Sequence, residues 1–261
     1  MTVHVGTSGW QYRDWKGVLY ADVPQRAWLE RYAESFATVE VNNAFYRLPE
    51  KSTFAGWAER TPDDFRFAVK ASRYLTHVRR LAGPQEPARR LMERASALGG
   101  KLGPLLLQLP PTLRADPGLL GDCLAAFPRG VQLAVEPRHS SWWHDSVRSV
   151  LADHGAALCW ADRRSRPVTP LWRTADWGYL RLHEGAAADR PRYGPRALAS
   201  WAERIAERWP DGEVWVYFNN DQHAAAVRDA VAFARAVSRC GLPASRVSVP
   251  GSSDYAVHGA G

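Results

Sequence analysis

Cysteine and lysine are scarce in this chain and long apolar runs are missing, and each absence excludes something. The three cysteines stand at 123, 159 and 240. They are odd in number, far apart and form no CxxC pair, so neither a disulfide framework nor a thiolate zinc site is expected. Cys159, between Leu158 and Trp160, reads as a small core residue. No apolar run approaches the ~20 residues of a membrane-spanning helix. The opening MTVHVGTSGW has no basic region followed by an apolar one, so no secretory signal is read there and a cytoplasmic location is expected. Of 34 basic residues only Lys16, Lys51, Lys70 and Lys101 are lysine; the rest are arginine. The net charge of +7 admits a nucleic-acid partner. The arginines are scattered, however, with no run of five or six, and their excess beside so much alanine reads as coding bias. Nucleic acid is therefore not the favoured partner.

What the chain does have is alternation. Short apolar runs are followed repeatedly by stripes at helical spacing. Val3–Val5, Val39–Val41, Phe65–Val69, Leu105–Leu107, Val131–Val135, Ala157–Trp160, Tyr179–Leu182 and Val214–Phe218 read as eight strands. Several are continuously apolar, as buried parallel strands are. Between them Trp28/Tyr32/Phe36, Leu91/Ala95/Leu98, Leu120/Leu124, Val147/Leu151, Leu198/Trp201/Ile205 and Val227/Val231 keep the i, i+3, i+4 spacing of amphipathic helices. Eight strands alternating with helices over 261 residues predict an α/β fold, a (β/α)8 TIM barrel in a single domain spanning 1–261. A doubly wound open sheet is the alternative. The crossover between strands 6 and 7, ADRRSRPVTPLWRTAD, has two prolines and no helical stripe and is expected to be irregular. The tail 242–261 lacks periodicity and is expected to be flexible.

In α/β barrels chemistry sits at the C-terminal ends of the strands. The residues following each apolar run are therefore the candidates. Strand 1 delivers Thr7, Ser8 and Trp10; strand 2 delivers Glu40, Asn42 and Tyr46; strands 3 and 4 deliver Lys70 and Gln108. Strand 5 ends in LAVEPRHSSWW, with Glu136, Arg138, His139 and Trp142. Strand 6 adds Asp162, strand 7 Arg181 and His183, strand 8 Asn219. Burying such groups costs several kcal/mol each unless they are paired. The ring therefore reads either as a shared polar mouth or as a closed salt-bridge network. Pro137 ends its strand, having no N–H to donate, and Ser140 or Ser141 is expected to cap the following turn.

The segments GTSGWQYRDWKG, VEVNNAFYRLPE, FRFAVKAS with THVRRL, GPLLLQLPP, AVEPRHSSW, YLRLHEG and YFNND resemble, in order, the motifs of the DUF72 family, also called YecE-like proteins. The resemblance spans roughly residues 3 to 240. It implies a TIM barrel and marks Glu40, Asn42, Tyr46, Lys70, Gln108, Glu136, Arg138, His139, Arg181, His183 and Asn219 as motif positions, without implying a reaction. Three positions depart from the pattern: Ala44 stands where threonine is usual, Glu184 where glycine is usual, and Asp229 where asparagine is frequent.

The residues favour a small anionic, hydroxylated ligand bound without metal or cofactor. Lys70, Arg138 and Arg181 suit a phosphate or carboxylate. Glu40, Glu136, Asp162 and His183, with Lys70, are the candidate catalytic groups of a hydrolase or lyase using paired carboxylates. Trp10, Tyr46 and Trp142 are expected to form an aromatic wall, and Asn42, Gln108, His139 and Asn219 to hydrogen-bond the ligand. One alternative is a metal-dependent phosphodiesterase or nuclease using Glu40, Glu136, Asp162, His139 and His183. Others are a sugar-active enzyme and a non-catalytic binding barrel.

Overall fold

The computed structural model describes residues 2–189 and 191–249. Its order is β1 (Thr2–Thr7), α1 (Trp28–Ser35), β2 (Thr38–Val41), α2 (Asn43–Tyr46), α3 (Lys51–Glu59), β3 (Arg66–Lys70), α4 (Gln85–Ala95), β4 (Leu102–Gln108), α5 (Pro117–Ala125), β5 (Leu133–Glu136), α6 (Asp145–Asp153), β6 (Ala157–Leu158), β7 (Trp160–Arg163), β8 (Arg166–Pro167), β9 (Gly178–Leu182), α7 (Pro195–Arg208), β10 (Glu213–Phe218) and α8 (Ala225–Arg239). Helix α5 starts where the chain supplies the chemistry. Asp116 accepts from the Leu119 N–H at 2.9 Å and Pro117 follows at the first helical position of α5.

The strands form two five-stranded sheets, β1-β10-β9-β7-β8 and β2-β3-β4-β5-β6. Every pairing is parallel except the short β7–β8 hairpin. The sheets approach each other at both margins. On one side Ser8 and Glu40 form a lone parallel bridge between the ends of β1 and β2. Gly6 makes this approach sterically feasible, because a Cβ there would overlap the Thr38 carbonyl. On the other side a single residue, Cys159, separates β6 from β7. The apolar run Ala157–Trp160 thus splits between the two sheets instead of forming one strand. Threonine hydroxyls from the crossover take bonds that a strand neighbour would otherwise supply. Leu158 N–H donates to Thr174 Oγ1 at 2.8 Å and Ala161 N–H to Thr169 Oγ1 at 2.9 Å. The crossover itself carries β8 and no helix.

Alternation along the strands divides the interior in two. Ala68, Leu106, Ala134, Cys159, Tyr179, Trp215 and Tyr217 pack together as an inner core between the sheets. The intervening residues, such as Val39, Phe67, Val135, Leu180 and Val216, belong to the larger layer under the helices. This parity decides which side chains meet at the strand ends. Residues 242–249 are held against β1 and α1: Val3 N–H donates to the Pro243 carbonyl, Ser245 N–H to the Val3 carbonyl and Ser248 N–H to the Ser35 carbonyl. The remainder of the expected flexible tail, 250–261, lies outside the described residues.

Candidate functional site

Above the inner core, β2, β3, β4, β5 and β9 each contribute one polar side chain of inward parity. Glu40 follows Thr38, Lys70 follows Ala68, Gln108 follows Leu106, Glu136 follows Ala134, and Arg181 follows Tyr179. All five are buried. Arg181 lies between the carboxylates, donating through Nη2 to Glu40 Oε1 at 2.8 Å and through Nη1 to Glu136 Oε2 at 2.6 Å. Ser8 Oγ donates to Glu40 Oε1 at 2.8 Å and Tyr179 OH to Glu40 Oε2 at 2.7 Å. Gln108 Nε2 donates to Glu136 Oε2 at 2.7 Å. His183 Nε2 meets Glu136 Oε1 at 2.8 Å, and Arg138 Nη2 reaches the same oxygen at 3.4 Å. Both carboxylates are therefore multiply hydrogen-bonded, the condition under which a buried charge is tolerated.

Burial alone would raise the Glu136 pKa. The attraction of Arg181, His183 and Arg138 outweighs it and holds this carboxyl well below the usual range. For Arg181 burial favours the neutral form, but the two carboxylates overcome it and the pKa rises well above its ordinary value. His183 moves down, because burial outweighs the pull of Glu136. Asn219 Nδ2 lies 3.0 Å from His183 Nδ1. An amide N–H donates, so Nδ1 is the acceptor, and Nε2 carries the proton given to Glu136.

Lys70 is the exception in this network. Its side chain is 8% exposed, and its ammonium stands 4.2 Å above the Phe45 ring. Among the described residues it has no carboxylate or other acceptor within hydrogen-bond reach. Burial, with the Arg181 charge adding to it, pushes its pKa down to about 8, against the weaker pull of Glu40 and Glu136.

Two clefts open beside His183. One, about 280 Å³, is lined by Glu136, Arg138, Arg163, Thr169 and His183. The other, about 460 Å³, is lined by Arg163, His183, Glu184, Asn219 and Asp221. Burial raises the Asp221 carboxyl to about 7, and its Oδ1 has no hydrogen-bond partner. Asn42 Oδ1 is likewise buried and unpartnered. Glu184, at the position that departs from the family pattern, thus lines a cleft wall.

Five expected site residues lie elsewhere. Asp162 shares parity with Trp160, not with Cys159, and faces the helix layer. It accepts from Tyr193 OH at 2.7 Å and Trp201 Nε1 at 2.9 Å, tying β7 to α7. Burial raises its pKa. Trp142 is 1% exposed with Nε1 donating to the Leu113 carbonyl at 2.8 Å, so it offers no face to a ligand. Trp10 is buried edge-on against Trp57. His139 Nδ1 accepts from the Ser141 N–H at 3.1 Å. The histidine, not a serine, caps the turn after β5. Tyr46 is 82% exposed and lines a separate cleft with Phe45 and Tyr74. The expected aromatic wall is therefore absent from the mouth.

Ser8 is a strand-end candidate to which the sequence assigns no role; Tyr179, Arg163 and Asp221 are not among the expected site residues. Parity would have found Tyr179, which is two residues before Arg181. Asp221 follows the strand-end pair Asn219-Asn220 in a loop, where neither parity nor apolar pattern marks it.

The five residues proposed as metal ligands do not form one donor set. Asp162 faces away, His139 caps a turn, and a guanidinium occupies the space between Glu40 and Glu136. Among the described residues no group of three or more His, Cys, Asp or Glu side chains is arranged to hold a metal ion.

Comparison with known proteins places this architecture. The family described as "Protein of unknown function DUF72" matches residues 4–249. The UPF0759 protein YecE of Escherichia coli strain K12 is 30% identical over 199 residues, covering 74% of this chain and 67% of that protein. A DUF72 family protein from Thermotoga maritima, solved at 2.20 Å, superposes with a TM-score of 0.80 at 27% identity, covering 91% of this chain and 100% of that one. One from Enterococcus faecalis, solved at 3.10 Å, gives 0.77 at 22% identity over 90% and 95%, a likeness of fold. The parallel sheets, the strand-end residues and these matches together show that the chain belongs to the DUF72 family.

Proposed function

We propose that the two sheets constitute a single (β/α)8 barrel whose C-terminal mouth binds a small anionic, hydroxylated ligand. The observation that carries this reading is an imbalance of charge. Lys70, Arg138 and Arg181 face two carboxylates, Glu40 and Glu136, and Lys70 has neither for a hydrogen-bonded partner. An ammonium drawn largely out of water with no protein acceptor loses part of its hydration, and a phosphate or carboxylate of the ligand would supply the missing charge. Arg138 and Arg163 on the cleft walls would meet the same anion. Asn219, Asn42 and Asp221 offer polar atoms to hydroxyls.

In this reading Glu136 does not act as a general acid, because it stays ionised. It holds the Nε2–H tautomer of His183 and anchors Arg181, and Glu40 anchors the other arm. The cysteines are unpaired, which suits a reducing compartment and a cytoplasmic site of action. Among the described residues no helix is long and apolar enough to cross a membrane.

The test is thermal melting of EDTA-treated protein with inorganic phosphate, sugar phosphates and keto acids. A ligand bound only by the folded state at ~100 times its Kd adds ~2.7 kcal/mol. The expected result is a rise in Tm with one of these compounds that is lost in Lys70→Met. A rise that survives in Lys70→Met overturns the assignment of the anion to this lysine.

A further inference from the structure

Resting on the anion-site reading, we infer that Lys70 is a carbonyl-capturing nucleophile, forming a Schiff base with the aldehyde or ketone of an anionic ligand such as a keto acid or a sugar phosphate. Three observations support this beyond anion binding. First, Lys70 Nζ has neither a hydrogen-bond acceptor nor a donor among the described residues, so no neighbouring N–H or O–H occupies its lone pair once the proton leaves. Lys101 differs, because its Nζ donates to the Ala58 and Thr61 carbonyls at 2.6 Å. Second, the nearest aromatic face is Phe45, at 4.2 Å. The face of that ring attracts the cationic iminium as it attracts the ammonium, so the adduct keeps the contact. Third, the Arg181 guanidinium sits among its charged neighbours and, with burial, favours the neutral amine. Desolvation beside a second cation is a recognised way of activating a lysine.

The fraction of free amine at pH 7 is about one-tenth for a group of pKa about 8, against about three in ten thousand for an ordinary lysine. The step balances without an added oxidant or reductant. Lys70 releases one proton to solvent. Its lone pair forms the N–C bond as the carbonyl π pair moves to oxygen, and the second N–H proton passes to that oxygen. The hydroxyl then takes one proton from solvent and leaves as water, giving a protonated C=N. The anionic part of the ligand would pair with Arg138 and Arg163 on the cleft beside His183.

The experiment is borohydride trapping at pH 7 with pyruvate, glyoxylate and dihydroxyacetone phosphate, read by intact mass and peptide mapping. Hydride converts the C=N to a secondary amine, so the protein gains the mass of the ligand less one oxygen. With only four lysines in the chain the site is unambiguous. The expected result is an adduct on Lys70 formed at least ~10-fold faster than on Lys16 or Lys51, suppressed by inorganic phosphate and absent from folded Lys70→Met. If the same compounds raise Tm but leave no adduct on Lys70, the anion site stands and the Schiff base is overturned. Equal labelling of Lys16, Lys51 and Lys70 overturns it too. Neither adduct nor Tm shift with any probe removes the binding reading as well.

Discussion

Lys70→Met should make the unliganded protein more stable. The side chain is largely buried, the ammonium has no acceptor among the described residues, and its pKa falls from an ordinary 10.5 to about 8. That displacement is worth ~3 kcal/mol against the folded state whenever the group is charged in both states. The contact with the Phe45 ring returns ~1 kcal/mol, and methionine keeps the apolar stem and volume. The net expectation at pH 7 is a gain of ~2 kcal/mol, or ~4–8 °C in Tm for a chain of this size. The pH dependence has a definite sign. Between about 8 and 10.5 the unfolded chain holds the proton and the folded one does not, so wild-type stability rises with pH through this window. The advantage of the variant is therefore full below pH 8 and fades towards pH 10.5. The neighbouring charges that share the field of Lys70 are Glu40, Glu136, Arg138 and Arg181, and His77 feels the Lys70 charge as well. All are common to both proteins, so the difference isolates Lys70. Urea unfolding at pH 7 and pH 9.5 measures it. A variant less stable than wild type at pH 7, or a difference that does not change with pH, refutes the reasoning. The gain would be that of a functional residue held at a cost in stability.

Arg181→Met should be severe, because it leaves Glu40 and Glu136 buried without their shared counter-charge. A loss of ~3–5 kcal/mol in urea unfolding is expected, and a loss below 1 kcal/mol would contradict the described network. Asp162→Asn should cost ~1–3 kcal/mol, since one of the Tyr193 and Trp201 donors then faces an amide N–H. Its ligand-induced Tm shift should equal that of wild type, and loss of that shift would return Asp162 to the mouth. His183→Asn should weaken anion binding without destabilising the protein by more than ~2 kcal/mol, as the ring borders both clefts; unchanged binding by titration calorimetry would move the ligand away from His183.

The strand-end principle found the cluster in the sequence because four consecutive polar ends, Glu40, Lys70, Gln108 and Glu136, and then Arg181 on β9, continue the inward parity of their strands. The same principle placed Asp162 in the mouth wrongly. Trp160 and Asp162 share one face of β7, and Cys159 and Ala161 share the other. A large tryptophan under a helix layer was the available clue. Trp142 and Trp10 read as ligand-facing aromatics in the sequence, but neither belongs to a strand, so their direction is set by tertiary packing that no local pattern carries. The break at Cys159 was equally illegible, since it depends on Thr169 and Thr174 hydroxyls that come from the crossover. Helix α3 was missed because its stripe is weak: Phe54 and Trp57 are its only buried residues. The unpartnered state of Lys70 is a fact of three dimensions. The sequence supplied the lysine, and only the fold shows that both carboxylates are already engaged elsewhere.

The most direct test of the central claim is calorimetric titration of EDTA-treated protein with the phosphate compound giving the largest Tm shift, at pH 7 and pH 9.5. If the anion pairs with protonated Lys70, affinity should fall by about 30-fold across this interval, as the free protein loses the proton near pH 8 and must regain it on binding. Equal affinity at the two pH values, or binding undiminished in Lys70→Met, would contradict the account.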